Sequence, residues 1–121
     1  MNIYLSNIYG RLVELSDLTL QRKIWLNENN DTGKMSSYAE LINSLFDDYS
    51  FDQFLDGEAI EWGVPSDIVE QLDGVRSMLN VYIDRENKKP RTERQILSDP
   101  EWLQIVDRTK EIMDRWDYKN P

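Results

Sequence analysis

The chain has no cysteine and no histidine. The first absence removes disulfides and thiolate chemistry; it leaves the compartment open, and a reducing cytoplasm fits it. The second removes histidine-based acid–base catalysis, histidine triads and most zinc or di-iron ligand sets. No apolar run approaches the roughly 20 residues that a membrane-spanning helix needs. The opening "MNIYLSNIYGRLVEL" lacks a basic stretch followed by an apolar block, so no secretory signal is expected. A glycine-rich phosphate loop is missing as well: "NDTGKMSS" contains Gly33-Lys34 but not the earlier glycine of a P-loop. These gaps set the expectation of a protein that is not an enzyme and carries no cofactor.

A further absence is local. Between Met35 and Val75 there is no lysine or arginine, while Glu40, Asp47, Asp48, Asp52, Asp56, Glu58, Glu61, Asp67, Glu70 and Asp73 all fall there. That window carries −10, and the other residues, with 14 basic and 13 acidic side chains, carry +1, giving the net −9. One third of the chain therefore holds the whole net charge. A nucleic-acid binder ordinarily has the opposite sign, so direct nucleic-acid binding is not expected. An acidic field suits a basic protein partner, or serves solubility.

What is present is enough for a core. Hydrophobic residues make up 40% of the chain, with four Trp, six Tyr and three Phe, too rich a composition for disorder. A length of 121 residues suits a single domain, 1–121. Leu5, Ile8, Leu12 and Leu15 recur at helical spacing over residues 3–16. Residues 17–27 read first as a second helix capped by Ser16 or Asp17; a short strand is the alternative, because Leu18, Leu20, Ile24 and Leu26 also fit a period of two, interrupted by Arg22. A polar loop, 27–34, follows. Ser37-x-x-Glu40 reads as a capping box, opening a stripe of Tyr38, Leu41, Ile42, Leu45, Phe46 and Tyr49. Ser50-x-x-Gln53 repeats the box and predicts a short helix to about Asp56, ended by Gly57. "GEAIEWGVPSD" reads as a loop. Ile68, Leu72, Val75, Leu79 and Tyr82 predict a long helix from Asp67 to about Arg85. Thr92-x-x-Gln95 predicts one turn through Leu97, and "SDPEW" starts a last helix lined by Trp102, Val106, Thr109, Ile112, Met113 and Trp116. The tail "YKNP" is expected to fray. The fold class expected is all-α: a bundle of four to five helices with short connecting helical turns.

The acids invite a metal reading, but no twelve-residue window fits a calcium loop, and Glu-x-x-His is impossible without histidine. No two of the ten acids stand out as a catalytic pair. Two readings of the window remain. In the first, the acids are the solvated face of helices whose aromatics are core. In the second, Asp47, Asp48, Asp52, Asp56, Glu58 and Glu61 form a docking surface for a strongly basic protein, with Trp62 as its apolar anchor. The missing bases favour the second, because surface helices normally mix signs and like charges at i, i+4 cost a few tenths of a kcal/mol, roughly 0.2–0.5. Trp62 could equally fold back onto the core.

Three stretches, "ELSDLTLQRKIWL", "SSYAELINSLFDDYSFDQFLD" and "ILSDPEWLQIVDRTKEIM", together resemble the small acidic immunity proteins of bacterial contact-dependent growth inhibition and related polymorphic-toxin systems. The resemblance implies a cytoplasmic inhibitor that binds one cognate toxin C-terminal domain, often a basic nuclease, and blocks its active site or substrate groove. It implies no particular binding residues, since such proteins differ in the surface they use. Two other readings share the composition: an acidic DNA mimic that binds nucleic-acid proteins, and a helical assembly subunit whose apolar stripes meet another copy.

Overall fold

The computed structural model describes residues 2–118, and every regular element among them is helical. There are seven helices in the described residues, more than the four to five expected. They are α1 (Ile3–Leu15), α2 (Leu18–Leu26), α3 (38–48), α4 (51–61), α5 (Ser66–Lys88), α6 (Glu93–Leu97) and α7 (Pro100–Arg115). α3 and α4 each widen into a π-helical turn, at Ser44–Asp48 and Phe54–Glu58. The long α5 packs along α7, and α1 lies against α7 and α2.

Residues expected to cap α2, α3, α6 and α7 do so. Asp17 accepts from the Leu20 N–H at 3.0 Å, and Ser37 from the Glu40 N–H at 3.0 Å. Thr92 and Gln95 form a complete capping box, and Asp99 caps α7 with Pro100 in the first turn. The 17–27 ambiguity resolves as helix. Its helical face was masked because a polar residue, Gln21, occupies a fully buried position. The Gln21 amide donates to the carbonyls of Glu14 and Leu15 at 2.8 and 3.1 Å. Its oxygen accepts from Trp102 Nε1 at 2.9 Å. One side chain thus satisfies the end of α1 and ties it to α7, as buried polar atoms require.

Two expected boundaries fail around α4. Ser50 makes no side-chain cap, because its backbone is left-handed at φ 50°, whereas a capping residue is extended. Gly57 does not end the helix; it sits inside the π-turn, and the chain stays helical to Glu61. The stop is Gly63, at φ +88°. Its N–H donates to the Ile60 carbonyl at 3.1 Å, and the Val64 N–H to Ala59 at 2.9 Å. This is a Schellman closure, in which glycine accepts the left-handed turn without a side-chain clash. The buried Ala59 carries the apolar stripe past Gly57.

The core joins Leu5, Ile8, Leu12 and Leu15 of α1 to Leu41 and Leu45 of α3, Phe51 and Phe54 of α4, the α5 stripe, and Trp102 of α7. A charged clamp fixes the turn between α5 and α7. Asp99 accepts from Tyr82 Oη and Arg85, each at 2.9 Å, and from Arg91. Arg91 also pairs with the buried Glu86 at 2.8 Å. Burial pushes the Asp99 carboxyl up, but the donors Arg91, the Glu101 N–H and Tyr82 outweigh it and hold its pKa below the ordinary value. The tail departs from expectation at Tyr118, whose ring stacks on Tyr9 at 4.1 Å; residues 119–121 lie outside the described residues.

Candidate functional site

The acidic window folds into α3, α4 and the first half of α5, and the structure sorts its carboxylates into two groups. The first is neutralised from within. Arg76, the first base after the window, turns back so that NH1 meets Asp56 at 2.9 Å and Asp52 at 3.2 Å, while NH2 meets Asp73 at 2.6 Å. Asp52 and Asp56 stand one turn apart on α4, close enough for a single nitrogen to bridge them. Two of the residues expected to meet a partner's cations therefore already hold one. Arg115 approaches Asp67 at 4.0 Å.

The second group has no such relief. Asp47, Asp48, Glu58 and Glu61 have no basic side chain of the described residues within ion-pair distance. Asp47 and Glu61 are exposed. Asp48 and Glu58 lie on the rim of a groove of about 250 Å³, which Trp62 and Gln53 also line. Tyr4 and Tyr49 complete its walls, with Ser50 between α3 and α4. Next to it, Asp56, Glu58 and Glu61 surround a shallower, more open depression. The six expected acids thus share one side of the molecule only in part: Asp48 faces the groove with Glu58, and Asp52 faces Arg76.

Trp62 is not a free loop residue. It follows the last residue of α4, and its ring packs on Phe54 at 5.8 Å and lies nearly parallel to Tyr4 at 6.3 Å. It is half-buried, with one side on the core and one side in the groove. The alternatives of anchor and plug are both partly realised. The groove also owes its shape to the two irregular turns. The π-turn that closes α3, with the Tyr49 N–H reaching the Ser44 carbonyl at 2.9 Å, and the left-handed Ser50 place Tyr49 beside the start of α4. Such wide turns often occur where a helix serves a site.

Sequence reasoning did not find Tyr4, Tyr49 and Gln53. Tyr4 carried one signal: it lies off the Leu5–Ile8–Leu12–Leu15 stripe, and a large aromatic there is left 66% exposed. Tyr49 falls in the α3 stripe, where its spacing gives no sign of a groove. Among the described residues no cluster of three acidic side chains is arranged to hold a metal ion, and no helix is long and apolar enough to cross a membrane. Compared with protein-family models, curated proteins and solved structures, the chain matches none.

Proposed function

We propose that the chain is a protein-binding inhibitor of the immunity type, which neutralises a basic, nuclease-like toxin domain by docking the uncompensated side of α3 and α4 on it. The observation that supports this most is that Asp48 and Glu58 line a groove with the half-exposed Trp62 and, like the exposed Asp47 and Glu61, pair with no base among the described residues. A nuclease must attract phosphates, so its groove is basic. Carboxylates presented in place of phosphates compete for it, and their field speeds encounter with a cationic partner. Asp52 and Asp56 contribute less than the sequence suggests, since Arg76 offsets them. The protein acts in this reading by occupancy, in the cytoplasm, with no chemistry of its own.

The test is growth of cells that express the product of the gene immediately upstream, with and without this chain. Rescue by the chain, lost when Asp48→Lys and Glu58→Lys are combined, supports the reading. A toxic product that the chain does not relieve, or rescue indifferent to the charge reversal, overturns it. Binding of several unrelated nucleic-acid proteins with similar affinity would instead place the chain among DNA mimics.

A further inference from the structure

We infer that the groove between the start of α1 and the α3–α4 junction is a receptor for one arginine side chain of the partner. The inference rests on the proposed binding of a basic protein and reverses the expected role of Trp62: it is a wall that receives, not a knob that inserts. Carboxylates alone would make a patch of charge without shape. Here Asp48 and Glu58 line one groove together with Tyr4, Tyr49 and Trp62. Aromatic rings attract cations, and Tyr4 and Trp62, with centroids 6.3 Å apart and planes inclined by 23°, stand together in this lining.

The occupant must be cationic, because two carboxylates line the groove and no described base reaches either. It must also tolerate apolar walls. A guanidinium meets both demands: it is planar, weakly hydrated, stacks on rings, and offers a fork of N–H donors to carboxylates. An ammonium is compact and strongly hydrated, and loses more on entering. The Gln53 side chain lines the same groove and adds a neutral acceptor for the remaining donors.

The probe is the capped tripeptide acetyl-Gly-Arg-Gly-amide, titrated into the full chain while the four Trp indole N–H resonances are followed by NMR. Lysine and citrulline versions are run alongside; citrulline keeps the shape of arginine without its charge. Saturable movement of the Trp62 indole with arginine in the millimolar range is expected, with weaker movement for lysine and none for citrulline. Tyr4→Ala, at a position too exposed to unfold the chain, weakens the arginine peptide about two- to five-fold, the size of an exposed cation–π contact. Glu58→Gln weakens it as well. Equal response to lysine and arginine, no response of Trp62, or indifference to Tyr4→Ala each overturns the inference.

The growth assay separates this from the broader reading. If rescue survives Tyr4→Ala but is lost on Asp47→Lys with Glu61→Lys, the groove has no role and the acidic-face reading stands. If arginine binds the groove and the chain rescues nothing, the groove is real and the immunity reading fails.

Discussion

Replacing Arg76 by glutamine tests how the acidic window is held together. The side chain is 18% exposed and bridges Asp52, Asp56 and Asp73, whose own side chains are 54–64% exposed. That exposure decides the magnitude. Solvated pairs contribute roughly 0.2–1 kcal/mol each, so three pairs, together with the repulsion they mask, give about 1–2 kcal/mol. Glutamine keeps part of the aliphatic stem but loses the charge and the reach of the guanidinium, leaving three carboxylates without their shared cation. Urea unfolding followed by Trp fluorescence should show the midpoint lowered by about 1 M with the slope unchanged. Ionic strength identifies the cause. The Debye length falls from about 10 Å at 0.1 M salt to about 3 Å at 1 M, so a charge-based deficit shrinks as salt is added. A deficit that stays constant from low to high salt would mean lost packing, and an unchanged midpoint would mean that Arg76 does not hold these acids. Either result refutes the division of the window into compensated and uncompensated groups.

Four further outcomes follow from the helix ends and the buried polar network. Gly57→Ala should be neutral or stabilising by up to about 1 kcal/mol, since the position is helical and an added Cβ meets nothing within 4 Å. Gly63→Ala should lower stability by about 1–2 kcal/mol, because φ is +88°; thermal melts of the two variants read the contrast directly. Gln21→Leu strands Trp102 Nε1 and two helix-end carbonyls, which should cost about 2–4 kcal/mol in chemical denaturation. Asp99 has a folded-state pKa below its ordinary value of 3.8. Its contribution is therefore complete above that value and is lost as pH falls through the lower folded one. Asp99→Asn, which preserves the cap, should flatten that part of the acid limb of a stability–pH curve; an unaltered limb would contradict the clamp.

The helical character was legible because it is written in local patterns. The stripes of α1 and α5, the Thr92–Gln95 box and the "SDPEW" start each depend on residues within a few positions of one another. The ambiguous and mistaken readings share a different cause. Residues 17–27 looked ambiguous because a core position is held by Gln21, whose burial is acceptable only when α1 and Trp102, 81 positions away, accept and donate its hydrogen bonds. Gly57 looked like a stop because the π-turn that absorbs it has no composition signal, and Ala59 is too small to advertise a continuing stripe. Ser50 looked like a cap because its residue type is right, while its backbone, set by how α3 meets α4, is not.

The candidate site shows the same limit for charge. Counting along the chain treats a base at position 76 as lying outside a window that ends at 75. In space Arg76 lies between two of its acids, because α5 returns along α4. Of the ten acids in the window, Asp52, Asp56 and Asp73 meet Arg76 and Asp67 nears Arg115; removing those four leaves six. Two of the six, Asp48 and Glu58, line the groove with Trp62, and Glu61 shares the neighbouring depression with Glu58. The uncompensated charge is therefore smaller than the sequence total, and Asp48 and Glu58 lie next to aromatic rings from the start of α1 and the ends of α3 and α4. Tyr4 and Trp62 are 58 positions apart in the chain, and only the packing of α1 against the α3–α4 unit makes them one surface. Charge patterning located the region, whereas the shape that would give it specificity exists only after folding.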